Sequence, residues 1–229
     1  MDCCIDRWIV LASLGCGLNT KLESVNVATH TWVDLQIPEA EKLADLAGIL
    51  WDLQRAREFA QLLAAELAAP KPNWGLAEPL SIAAVVMYSR PFMGGVRLRL
   101  GENDLKGLTA EQRAAHERLR AYRDKHVAHS VNVFEENIPR ANYCVERVTE
   151  EGITGISYGS GRIVSLGGAD LNALIDLTTA LEAHVRALIT VEQERLLPIV
   201  RGMPLETVLA GGQKAFVASA NDVAVPRSR

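Results

Sequence analysis

The sequence predicts a mainly α-helical protein, an up-and-down four-helix bundle with a small antiparallel β-hairpin or meander before its last long helix. Apolar residues recur at helical spacing in long segments, and proline or glycine separates those segments. One stretch after residue 142 switches to strict alternation.

A first helix is expected from about Pro38 to Ala69. Pro38 suits a first helical position, and Glu39 and Glu41 sit at the positive end of the helix dipole. Leu43, Leu46, Leu50, Leu53, Ala60, Leu63 and Leu67 keep the helical period, and Pro70 and Pro72 stop it. A second, almost wholly apolar helix is expected from about Pro79 to Arg90, ending where Pro91 disfavours helical geometry before it. Residues 94–108 read as a loop, after which Thr109-Ala110-Glu111-Gln112 is a capping box opening a third helix that ends near His129. Tyr143, Val145 and Arg147 alternate with Cys144, Glu146 and Val148, and Gly152, Gly159 and Gly161 break the run, which gives the β insertion at about 142–166. A last helix runs from about Asp170 to Leu197, with Pro198 ending it. The domain plan is an N-terminal extension over 1–36, the helical domain over 37–200 and a C-terminal tail over 201–229, expected to be loose from Gly211.

At 229 residues, 48% hydrophobic and 23% charged, the chain is ordinary for a globular protein with a real core. Its net charge of −4 gives no general attraction to nucleic acid, so any such attraction must be local. Cys3, Cys4, Cys16 and Cys144 have neither metal spacing nor disulfide density, which makes a cytoplasmic location the expectation. No apolar run is long enough to span a membrane. The apolar stretch Trp8–Cys16 fails as a signal segment, because Asp2 and Asp6 outnumber Arg7 ahead of it.

The chemistry concentrates in Arg120-Ala121-Tyr122-Arg123-Asp124-Lys125-His126-Val127-Ala128-His129. Histidine can exchange a proton near neutral pH, and arginine can hold a phosphate. His126 and His129, three apart, can meet on a helix, with Arg123 and His129 on either side of His126. Between Thr109 and Ser130 five Lys/Arg face three acids, so this segment is the place where the acidic chain turns basic.

This stretch resembles the HEPN superfamily (higher eukaryotes and prokaryotes nucleotide-binding), marked by an arginine, a polar residue, a short gap and a histidine at the end of a bundle helix. Here these are Arg123, Asp124 and His129. The run Arg-Asp-Lys-x-x-Ala-His and the ending Tyr88-Ser89-Arg90 are similar to the abortive-infection U-type branch, over roughly Pro38 to Pro198. The resemblance implies a homodimer in which two copies of this helix end face each other. It implies a metal-independent endoribonuclease acting on RNA in phage defence or as a toxin, without a cofactor and with an antitoxin or regulatory protein as a possible partner. The alternative it leaves open is a catalytically inactive dimer that binds a protein or nucleotide. Some toxins of the superfamily carry a modified tyrosine two residues after the histidine; Val131 stands there in this chain.

On that reading Arg123, Asp124 and His129 are catalytic, and Arg90, Arg120, Lys125 and His126 bind substrate. His129 is general base or acid, or a helix-end histidine held by the dipole. Arg123 stabilises charge on phosphorus, or pairs with Asp124 of a partner or with Glu117. Asp124 orients His129 or Arg123, or pairs with Lys125 or Arg120. Arg90 adds a phosphate contact or is a surface cation. His116, His126 and His129 do not make a zinc site, because ten residues separate His116 from His126 on one helix.

Overall fold

The computed structural model describes residues 32–127, 135–145, 152–162 and 165–212. It is mainly helical, with one small two-stranded antiparallel sheet. Helix α1, Glu41–Leu67, follows a single tight turn at Pro38–Ala40, as the proline and glutamates predict. Its buried face (Leu46, Ile49, Leu53, Ala56, Ala60, Leu63) has the three–four spacing of one helical stripe. Both α2, Trp74–Ser89, and α4, Gly168–Arg201, pack along α1. Helix α3, Ala110–Tyr122, lies against α2 and α4 and begins with the expected capping box, Thr109 and Gln112 exchanging bonds of 3.2 and 3.0 Å. One apolar core joins all of these helices through residues such as Leu53, Val85, Leu119 and Leu177. Each fully buried leucine contributes about 1.5–3 kcal/mol.

Buried charges fix how α1 meets its neighbours. Glu192 of α4, 1% exposed, takes Arg195 at 2.9 Å and Lys42 of α1 at 3.1 Å. Arg195, followed by Lys42, holds that carboxyl below its ordinary range. Glu182 pairs with Arg57 at 2.9 Å; burial pushes its carboxyl up, against the pull of Arg57. Asp52 of α1, also 1% exposed, accepts Arg97 at 2.6 Å and lies 3.5 Å from Arg90. Gly48 lets Arg97 cross α1 to reach it: a Cβ there would stand 3.1 Å from the guanidinium. Asp45, about two turns before Asp52, accepts the Leu98 N–H at 2.8 Å. The irregular segment after α2 is therefore clipped to α1 by two aspartates.

Several boundaries differ from the sequence expectation. Helix α2 starts at Trp74, before Pro79, because the Asn73 side chain caps the Gly75 N–H at 3.1 Å. The carbonyl that Pro79 leaves unbonded belongs to exposed Gly75, so water can satisfy it. Helix α4 likewise runs through Pro198 to Arg201, where the freed carbonyl belongs to exposed Glu194. Regular α3 stops at Tyr122, and a single wider π-type turn, Arg123–Val127, continues from it; the expected helix end near His129 lies outside the described residues.

The β insertion is a hairpin: β1, Glu135–Tyr143, pairs antiparallel with β2, Ile153–Arg162, with a bulge at Asn142/Tyr143. It begins earlier than the alternating pattern suggests and holds Pro139 opposite Tyr158. The hairpin is surface structure, with Ile156 and Tyr158 77% and 81% exposed. After α4, a short helix α5, Leu205–Leu209, turns the chain back. The Asp34 N–H donates to the Gly212 carbonyl at 2.7 Å and the Gln36 amide to the Gly211 carbonyl at 3.0 Å. No helix of the described residues is long and apolar enough to cross a membrane.

Candidate functional site

The end of α2 and the end of α3 come together, and the segment after α2 closes over them. A turn at Arg90–Phe92 carries α2 into that segment, where the Leu100 N–H bonds the Pro91 carbonyl at 2.8 Å. A cleft of about 210 Å³ results, lined by Ser89, Phe92, Met93, Gly94, Arg99, Arg120, Arg123 and Asp124. Three guanidiniums thus face one carboxylate. Arg123 pairs with Asp124 at 2.9 Å, within one chain and between sequence neighbours. Arg99 and Arg120 are exposed and make no ion pair among the described residues. Unpaired guanidiniums converging on one concavity suit an anion whose oxygens can accept several N–H donors at once.

A larger groove of about 460 Å³ adjoins the cleft and shares Arg120 and Asp124 with it. Its other walls include Glu102, Leu105, Arg113, Glu117 and Lys125, with His116 among them. His116 is only 7% exposed. Its Nδ1 lies 2.6 Å from the hydroxyl of fully buried Tyr88. Phe92 stands edge-on to the same ring, 4.6 Å between centroids.

The tautomer follows from hydrogen-bond satisfaction. If Nδ1 carried the proton, the buried Tyr88 hydroxyl hydrogen would have no acceptor among the described residues, a cost of about 1–3 kcal/mol. Burial also pushes the phenol up, with Arg120 opposing, so it keeps its proton. Tyr88 therefore donates to Nδ1, and neutral His116 carries its hydrogen on Nε2. Burial, then Arg120, and more weakly Arg113, lower the His116 pKa, while Glu102 and Glu117 oppose them.

Nitrogen-15 spectra of the imidazole should show the Nε2–H form in the folded protein; an Nδ1–H form would refute the assignment. Tyr88→Phe should lower stability by about 1–2 kcal/mol through the orphaned Nδ1 and let the tautomers mix. Because the folded pKa lies below the unfolded value near 6.5, the unfolded chain takes the proton first on acidification. His116 thus contributes stability above pH 6.5, lost as pH falls from there through the lower folded pKa.

The structure brings Arg120, Arg123, Asp124 and Lys125 to this pair of concavities. The backbone of His126 lies in the π-type turn, and His129 lies outside the described residues. Arg90 does not line the cleft; its guanidinium faces Asp52, with a weak contact to the Met87 sulfur at 3.6 Å. The motif alone does not reveal Arg99, Ser89, Tyr88 or His116. A signal existed for two of them: His116 stands four residues before Arg120 on one helix face, and Arg97 and Arg99 alternate in an extended segment. Among the described residues no three His, Cys, Asp or Glu side chains gather closely enough to hold a metal ion. No family model, no curated protein and no solved structure matches this chain.

Proposed function

We propose that this chain is a metal-independent endoribonuclease of the HEPN type, its helices forming an up-and-down four-helix bundle that acts as a homodimer in phage defence or as a toxin. The observation that carries the proposal is the convergence of Arg99, Arg120 and Arg123 on one cleft, at the end of the helix that leads to His129. A phosphodiester placed there meets donors matched to its oxygens. Guanidiniums fixed in advance also stabilise the additional charge of a pentacoordinate phosphorus. His129 supplies the proton transfer: it takes the proton of a ribose 2′-hydroxyl or gives one to the leaving 5′-oxygen. Asp124, already bound to Arg123, holds that guanidinium in place. Arg120 and Lys125 extend the positive surface along the RNA, and His126 is the remaining proposed contact.

The reaction class sets the products. Attack by the 2′-hydroxyl on its own phosphodiester leaves a 2′,3′-cyclic phosphate and a 5′-hydroxyl end, and DNA lacks the nucleophile. Purified protein should cut single-stranded RNA in excess chelator, leave DNA intact and slow as salt rises, because local cations hold the phosphates. Cleavage that stops with chelator, or equal cutting of single-stranded DNA, overturns this chemistry. Binding of RNA without cleavage under any condition turns the assignment to the inactive binding dimer. The engagement of Arg123 by Asp124 is the observation that favours this second reading, since a paired guanidinium has less to offer a phosphate.

A further inference from the structure

The proposed cleavage chemistry takes its phosphate-binding guanidiniums from the smaller cleft. The larger groove beside it has a built floor that this chemistry leaves without a role. His116 is more than nine-tenths buried, is held at Nδ1 by Tyr88, and has no hydrogen-bond partner at Nε2 among the described residues. It therefore carries a single free donor, Nε2–H, on a side chain that lines the groove. Buried Leu105 gives the same groove an apolar wall, and exposed Glu102 and Glu117 give it acceptors. At about 460 Å³ the groove lies within the size range of small-molecule sites.

A donor beside an acceptor, against an apolar wall, is complementary to a ring carbonyl next to a ring N–H. Guanine and uracil present that pair. Adenine and cytosine present an amino group in the carbonyl's place and an unprotonated ring nitrogen in place of the N–H. That arrangement sets donor against donor and acceptor against acceptor. The shared Arg120 and Asp124 place the groove directly beside the anion cleft, so one nucleotide can occupy both.

We infer that the His116 groove is the base-specificity pocket for a keto nucleobase, guanine or uracil, with His116 Nε2–H donating to the base carbonyl and Glu102 or Glu117 accepting the adjacent ring N–H. This rests on the proposed phosphate role of the neighbouring cleft. A base that presents a donor there leaves the buried His116 Nε2–H unpaired, which discriminates more strongly than an apolar misfit.

The test titrates 5′-GMP, 5′-UMP, 5′-AMP, 5′-CMP and inorganic phosphate separately into the full chain, read by calorimetry and by the nitrogen-15 resonances of His116. GMP or UMP should bind at least about tenfold more tightly than AMP and CMP and shift the Nε2 signal, whereas inorganic phosphate should bind without that shift. The Glu102→Gln, Glu117→Gln double variant alters only exposed side chains. It should lose the base preference and keep its affinity for inorganic phosphate. Equal affinity for all four nucleotides, or an unmoved His116 signal, overturns the base pocket while phosphate binding survives. Failure of every nucleotide and of phosphate to bind overturns the anion cleft along with it.

Discussion

Replacing His129 by alanine is expected to reduce RNA cleavage by about 10²–10⁴-fold, the usual worth of a positioned acid or base. The fold should persist: a histidine whose only role is to pair with a helix-end dipole costs about 1 kcal/mol to remove, or about 2–4 °C in melting temperature for a chain of this size. Arg123→Ala should reduce the rate by about 10²–10³-fold, because Arg99 and Arg120 remain in the cleft to carry part of the charge. The two losses should differ in their dependence on salt. Removing a phosphate contact flattens the salt response, whereas removing a proton-transfer group does not. A His129→Ala protein that melts like the parent and still cuts RNA at the parent's rate would exclude this residue from the mechanism.

The largest expected effect on stability comes from Asp52. Its carboxylate is almost fully enclosed, yet the two guanidiniums it serves are 49% and 29% exposed for Arg90 and Arg97. Breaking a fully buried pair costs about 3–5 kcal/mol. Here the released cations can turn to water, so Asp52→Ala should cost about 2 kcal/mol, or about 4–8 °C in melting temperature. The damage should be local as well as global. Without Asp52, Asp45 is the aspartate left to clip the segment to α1, and that segment supplies Met93, Gly94 and Arg99 to the anion cleft. Amide exchange at Leu98 and Leu100 should quicken more than exchange in α4. An unchanged melt and unchanged exchange would mean that the clip is redundant.

How far the sequence reveals this structure depends on which interactions define each part. The cores of α1, α3 and α4 are legible, because burial of one helical stripe writes a three–four period that any reader can find. Their ends are less so. Pro79 and Pro198 read as boundaries because proline removes one hydrogen bond. A single missing bond on a solvated face is outweighed by the packing of the helix on either side. The early half of β1 hides for the opposite reason: Glu135-Glu136-Asn137 and Pro139 are poor strand formers, and their pairing is set by β2. In the site, the motif locates Arg123 and Asp124, since neighbours in sequence are neighbours in space. Arg99 and the Tyr88–His116 pair leave only faint local signals, because their meeting depends on contacts between separate elements.

The bonds from Asp34 and Gln36 to Gly212 and Gly211 mean that the chain enters and leaves the helical domain through adjacent doors. Tension applied between the flanking segments would load those two hydrogen bonds before it reached any helix. The same adjacency makes the domain a natural cassette. Residues 34 and 212 could be joined by a very short bridge and new ends opened in an exposed stretch, with the helix packing undisturbed. Whatever is fused before residue 34 or after residue 212 starts from neighbouring points.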